Sequence, residues 1–228
     1  MPETAIQELA TDHTSRKKFL RMVGGAGATG ALGVLLAACG SDKKTAATTG
    51  AAVAKSPAGG DIAIVNYALT LEYIEAEFYK QVLAAGVITD KKVGALAAQF
   101  GDTEQQHVDA LIAAVKQLGG TPVAKPKTAF DKVLAGGPKL ILATAATVEN
   151  LGAAAYLAQA PKIQSKDILA AALSIHSVEA RHAAALNELI GAGFQGSGPL
   201  NGSLPDGPFG KPMDMAAVLA AAKPFLAA

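Results

Sequence analysis

The sequence predicts an all-α chain: a four-helix bundle with one long crossover between the second and third helices, and a short extra helix near the C-terminus. Three observations predict it. Four stretches repeat apolar residues at spacings of three and four, the period of a helix burying one face. The links between them run short, long, short. Half of the 228 residues are hydrophobic while 5% are aromatic and none is Trp, so the core has to be built from Ala, Leu, Val and Ile, as in many helical bundles.

Residues 1–38 read as an export signal. A basic run, Ser15-Arg16-Lys17-Lys18-Phe19-Leu20, precedes an uncharged stretch from Met22 to Cys39. Gly24, Gly25, Gly27, Gly30 and Gly33 make that stretch a weak membrane helix and favour a processed signal over the alternative, an uncleaved anchor. The run resembles a twin-arginine signal with Lys17 in place of the second Arg, which leaves the export route open. Leu36-Ala37-Ala38-Cys39 resembles a bacterial lipobox, in which cleavage leaves Cys39 as a lipidated N-terminus. A lone Cys is more often a small buried hydrophobe, but its place at the end of the apolar run favours the lipid. The protein is therefore expected to be exported and anchored to the membrane through that lipid, on the outer face of a bacterial cytoplasmic membrane. Residues 39–60, chiefly Ala, Thr, Gly, Ser and Lys, offer little that packs and read as a flexible tether.

The bundle is expected over residues 61–191. Its first helix runs from Asp61 to Ala85, with Val65, Ala68, Leu69, Glu72, Ala76, Tyr79 and Leu83 on one stripe. The second, Asp90 to Leu118, aligns Leu96, Phe100, Glu104, His107, Leu111, Val115 and Leu118. The third, Pro138 to Gln159, aligns Leu142, Ala145, Glu149, Ala153 and Tyr156. The fourth, Ser165 to Ile190, aligns Ala172, Ile175, Glu179, His182, Leu186 and Leu189. The short links Gly86 to Thr89 and Ala160 to Gln164 make the first and last pairs antiparallel neighbours. The link Gly119 to Gly137, with a helical turn expected near Phe130, is long enough to travel a bundle of about 30 Å at roughly 3.3 Å per extended residue. Residues 192–228 form a Gly- and Pro-rich tail, irregular except for a short helix from Asp214 to Ala222 that is expected to pack back on the bundle.

Charge excludes some partners. Up to Ala38 there are four basic and three acidic residues, which leaves sixteen of each in the remainder, so no basic face marks a nucleic-acid partner. One Cys permits neither a disulfide framework nor a four-Cys metal site.

The chemistry lies on the helical stripes. Glu104 and His107, and again Glu179 and His182, stand three residues apart and so share a helix face. Upstream of each pair, by 32 and 30 residues, stand Glu72 and Glu149, each followed seven residues on by Tyr79 or Tyr156. The second half thus repeats the first. A single Glu-x-x-His is usually a surface contact, but six such residues on four apolar stripes match the donor set of a dinuclear carboxylate site in a four-helix bundle. Two divalent cations need carboxylates to offset their charge and neutral imidazoles as donors, and Fe and Mn accept the same set. Glu75 and Glu77 are competing acids on the first helix. The repeat argues against them, because their counterparts on the third helix are Gly152 and Ala154.

With Leu71-Glu72-Tyr73-Ile74-Glu75-Ala76-Glu77-Phe78-Tyr79, both Glu-x-x-His pairs, and Glu149 with Tyr156, residues 61–191 resemble the ferritin-like superfamily. The whole chain resembles its exported, desiccation-related members. The resemblance implies metal-ligand roles for Glu72, Glu104, His107, Glu149, Glu179 and His182. It implies that Tyr79 and Tyr156 hydrogen-bond metal-bound carboxylates and are open to oxidation. Many dinuclear members place an Asp before the helix Glu to orient the ligand His; here Thr103 and Val178 stand there. His176, one turn before Glu179, is read as a flank residue.

Three functions follow. The first is a redox protein acting on hydrogen peroxide or dioxygen outside the cytoplasm. The second is a metal-binding or ferroxidase protein without peroxide turnover, and the third a metal-free, lipid-anchored structural bundle. The oligomeric state and the electron donor stay open, a homo-oligomer included.

Overall fold

A computed structural model of the chain describes residues 58–196 and 209–227. The expected export signal, Cys39 and most of the expected tether lie outside those residues, as does the stretch 197–208 of the tail.

Among the described residues there are six α-helices: α1 (Ala58–Ala85), α2 (Lys91–Gln117), α3 (Asp131–Ala135), α4 (Gly137–Gln159), α5 (Lys166–Leu189) and α6 (Met215–Ala222). Single 3-10 turns follow α4 and α6. The chain is an all-α bundle of α1, α2, α4 and α5, with the crossover between α2 and α4 interrupted by α3 near Phe130. Local chemistry sets the boundaries. The Asp90 carboxylate accepts from the amides of Lys92 and Val93, and Ser165 from that of Ile168, each satisfying donors that a helix start leaves unpaired. Gly86 (φ 63°) and Gly191 (φ 73°) adopt left-handed backbone just past α1 and α5, where a side chain would be strained. The first helix begins at Ala58, ahead of the expected start at Asp61 and inside the stretch assigned to the tether, so that Asp61 lies in its first turn. The Asp61 carboxylate accepts from the amides of Gln164 and Ser165 and pins the α4–α5 link to the start of α1.

Helix α1 packs along α2 and α4 along α5; α1 against α4 joins the halves. The core is aliphatic and small, with Leu71, Ile74, Val148, Leu151, Ala153 and Ala155 all buried. Helix α4 with its following turn is apolar and long enough to cross a membrane by composition, but 72% of its apolar window is buried in the bundle. Two residues expected on the inner stripes face outward: Leu83 and Leu189 are each 44% exposed. Both stand in the last turn of their helices; in α1 the inward position of that turn is taken by Val82, 2% exposed, which leaves Leu83 beside it turned outward.

The crossover is anchored by Phe130, which is 1% exposed and meets Phe78 edge-on (5.1 Å) and Phe225 face-on (5.8 Å). Backbone bonds from Ala129 to Phe225 and from Ala227 to Lys127 tie the C-terminal end to the same segment. Helix α6 lies on α4 through buried Val218 and Ala222, as expected for the tail helix. We predict that Phe130→Ala lowers the unfolding free energy by about 3–5 kcal/mol, whereas Leu173→Ala at an exposed position changes it by less than about 0.5 kcal/mol. Urea unfolding of both variants measures this.

Candidate metal centre

The period of a helix puts Glu104 and His107 of α2 on the inner face, and Glu179 and His182 of α5 likewise. Glu72 of α1 and Glu149 of α4 come inward from the other two helices. All six are buried, with Glu104, Glu149 and Glu179 at 0% exposure. Their donor atoms gather into two groups, each with its atoms within 4.8 Å of one another: Glu72, Glu104, His107 and Glu179; and Glu104, Glu149, Glu179 and His182. Glu104 and Glu179 belong to both groups, while each group has its own Glu and its own His.

His107 Nδ1 lies 2.8 Å from Glu104 Oε2 and 3.2 Å from Glu72 Oε2, in hydrogen-bonding geometry with both. It lies 3.1 Å from Glu179 Oε1. His182 Nδ1 comes within 2.7 Å of Glu104 Oε1 and 3.2 Å of Glu149 Oε2. That second set is close without being aligned: His182 Nδ1, Glu104 Oε1, Glu149 Oε2 and both oxygens of Glu179 have no hydrogen-bond partner. Buried polar atoms are seldom left unpaired. These converge on common points rather than on each other, as donors to a shared cation do. The donor set fits divalent metal ions.

Two tyrosines hold the outer oxygens. The Tyr79 hydroxyl of α1 donates to Glu149 Oε1 on α4 (2.5 Å), and the Tyr156 hydroxyl of α4 donates to Glu72 Oε1 on α1 (2.6 Å). Each carboxylate is divided: one oxygen is held by a tyrosine from the opposite half, and the other faces a histidine. Gly101 makes the first arrangement possible, since a Cβ there would stand 2.9 Å from Tyr79 Cβ. Phe100 stacks on His182 with ring centroids 3.8 Å apart and closes that side with an apolar wall.

The charges are poorly balanced. Burial works to raise the Glu104 pKa, but the two imidazoles outweigh it and hold it at about 2. Burial pushes Glu72 up to about 6 against the lowering influence of His107. Burial, then the charge of Glu104, raises Glu149 and takes Glu179 well above the carboxylate range. Burial opposes protonation of both imidazoles, yet Glu104 and Glu149 raise His182 to about 9, and Glu72 and its neighbours raise His107 well above its ordinary value.

Other expected positions stand apart. The Thr103 hydroxyl donates to the Gln99 carbonyl of its own helix and gives His107 no support. His176 is half-buried on α5 and belongs to neither group of donors. Glu77 is paired with Lys125 at the surface side of α1. Glu75 differs from the expectation: it is buried at 2% exposure, and burial followed by the charges of Glu179, Glu72, Glu149 and Glu104 raises its pKa strongly. Comparison of the repeats discounted it, although Gly152, its counterpart, is what leaves it room.

Glu72 and His182 have folded-state pKa values above their unfolded ones, so the folded protein binds their protons more tightly. Its stability must fall as pH rises through 4.5 to about 6 for Glu72 and through 6.5 to about 9 for His182. Thermal unfolding of metal-free protein between pH 5 and 9 should show a declining midpoint, with each group contributing at most about 1.4 kcal/mol per pH unit. A midpoint that rises across this range contradicts the charge assignment.

No curated protein matches the chain. The sequence profile of the family described as ferritin-like domain matches residues 60–192, which takes in the four bundle helices and every residue of the two donor groups. The match spans more than half of the 228 residues, and on it, with the helical bundle and the buried Glu/His cluster, the chain belongs to the ferritin-like domain family.

Proposed function

We propose that the protein holds two divalent ions, Fe or Mn, in this cluster and works as a redox protein towards hydrogen peroxide or dioxygen. One observation carries the reading: two groups of buried donors share Glu104 and Glu179 and leave oxygens and an imidazole nitrogen without partners. Glu72 and His107 would hold one ion, Glu149 and His182 the other, and Glu104 and Glu179 would serve both. The bound pair supplies redox electrons and Lewis acidity for the reduction of a small oxidant.

The chain's own residues prepare that chemistry. Four carboxylates offset the four positive charges of two divalent ions, so metal binding removes the repulsion that otherwise leaves some of them protonated. Tyr156 and Tyr79 keep Glu72 and Glu149 turned so that their second oxygens face inward. Both phenols keep their protons, because burial and then the facing carboxylates raise their pKa values well above the ordinary range. Each phenol is in direct contact with a carboxylate of the cluster and is open to one-electron oxidation. Phe100 and the aliphatic core limit water around His182.

Location is part of the proposal. The basic run, the uncharged stretch and the lipobox-like Leu36-Ala37-Ala38-Cys39 support export and lipid anchoring on the outer face of the cytoplasmic membrane, with residues 40–57 as the tether. Cys39→Ala should move the protein from the membrane to the soluble fraction of fractionated cells, with the bundle still folded. Native chain found in the cytoplasm with residues 1–38 intact refutes this.

Metal and stability should be linked. Free Mn(II) or Fe(II) at 100 times Kd should stabilise the fold by about 2.7 kcal/mol for each ion held, a rise in melting temperature of roughly 5–10 °C per ion for a chain of this size. Glu149→Ala or His182→Ala should shrink that rise. The iron- or manganese-loaded protein should consume peroxide or reduce dioxygen. If two ions bind and neither peroxide consumption nor Fe(II) oxidation follows, the redox reading falls and metal binding stands.

A further inference from the structure

Helix α1 carries an acid that the site described above does not use. Glu75 lies one turn beyond Glu72, is 2% exposed, and its Oε2 has no hydrogen-bond partner. A buried carboxyl oxygen without a donor costs free energy unless something else satisfies it. The second observation is on α4. A Cβ added at Gly152 would stand 2.6 Å from Glu179 Oε2 and 3.0 Å from Glu75 Oε1. Two carboxylates from different helices therefore flank one point, and that point is free because α4 has no side chain there. Both oxygens of Glu179 are themselves without partners. Leu71, Ile74, Val148, Leu151 and Ala222 of α6 surround Glu75 and Gly152, so this approach is closed to bulk water by apolar side chains.

The two halves of the bundle differ here. The first helix of one half bears Glu75, and its counterpart in the other bears Gly152. Two acids at these facing positions would collide; one acid and one glycine fit. Glu75 is outside both tight donor groups and stands beside Glu179, one of the two residues common to them.

Resting on the metal-binding reading above, we propose that Glu75 is a fifth carboxylate of the centre, held beside Glu179 in the gap at Gly152 to ligate the ions when they are trivalent. The charge count gives the direction. Two divalent ions are balanced by Glu72, Glu104, Glu149 and Glu179, so a fifth anion is surplus to them. Two trivalent ions carry two further charges, and Glu75 supplies one of the anions that compensate. Glu75 thus favours the oxidised pair over the reduced pair.

The test uses the full chain with Glu75→Gln, which preserves volume, and Glu75→Ala, which removes the side chain; both leave the six ligands of the proposed centre unchanged, whereas a side chain at Gly152 would press on Glu179. Mn(II) content and chelator competition read the divalent state. Retention of Fe(III) against a chelator and the midpoint potential of the iron-loaded protein read the trivalent one. Both variants should still bind two Mn(II) per chain. Both should hold Fe(III) at least about tenfold more weakly, the least expected for a lost partner of a metal site, with a midpoint potential above that of the wild type. A merely structural role for Glu75 would lower the melting temperature and leave the potential unmoved. Wild-type Fe(III) retention and potential in both variants, with two Mn(II) bound, overturn the role of Glu75 alone. A wild-type chain that takes up neither ion overturns the metal-binding reading and this one together.

Discussion

Four carboxylates buried where water does not reach them are the constraint on which the rest of the structure turns. Glu72, Glu104, Glu149 and Glu179 are at most 1% exposed, in a core of Ala, Leu, Val and Ile. Each would cost several kcal/mol if left charged and unpaired. His107 and His182 answer part of the charge, and the tyrosine hydroxyls answer one oxygen on each of Glu72 and Glu149. Unpaired atoms on Glu104, Glu149, Glu179 and His182 are left over. The bundle supports this cluster through apolar packing elsewhere, in the Phe78–Phe130–Phe225 contact and the aliphatic seam between α1 and α4. On the proposed reading, a pair of cations would supply what the polypeptide alone does not.

The cluster also depends on both halves of the bundle at once. Tyr79 and Glu149 are seventy residues apart, and Tyr156 and Glu72 eighty-four. Neither half could complete the hydrogen bonds of its own carboxylate, so the site assembles only when α1 docks on α4. Asp61 reinforces the same docking by holding the α4–α5 link from the start of α1. The long crossover, fixed by Phe130 and by the C-terminal end, is what lets two similar helical pairs meet in this orientation.

Much of this was legible in the sequence for a simple reason. A helix converts spacing into a face, so acids and histidines on apolar stripes declare a shared interior before any coordinates exist. The short and long links then fix which helices are neighbours. What a one-dimensional pattern does not carry is how atoms meet across helices. It did not tell that Tyr79 would reach Glu149 rather than the acid of its own helix. Comparing the repeats set Glu75 aside because Gly152 was its counterpart, whereas in three dimensions the missing side chain is what admits it. Stripe logic also overstated Leu83 and Leu189, since spacings of three and four do not say which of two neighbouring apolar residues faces inward: Val82 is buried and Leu83 exposed, as Leu186 is buried and Leu189 exposed.

The central claim is that two ions sit between α1, α2, α4 and α5, and anomalous diffraction tests it most directly. A crystal of protein prepared with iron and manganese both present would be measured at the absorption edges of the two elements. Two anomalous peaks are expected about 3.5–4 Å apart, one beside Glu72 and His107 and the other beside Glu149 and His182, with Glu104 and Glu179 between them. Ordered side chains with no anomalous peak inside the cluster would contradict it.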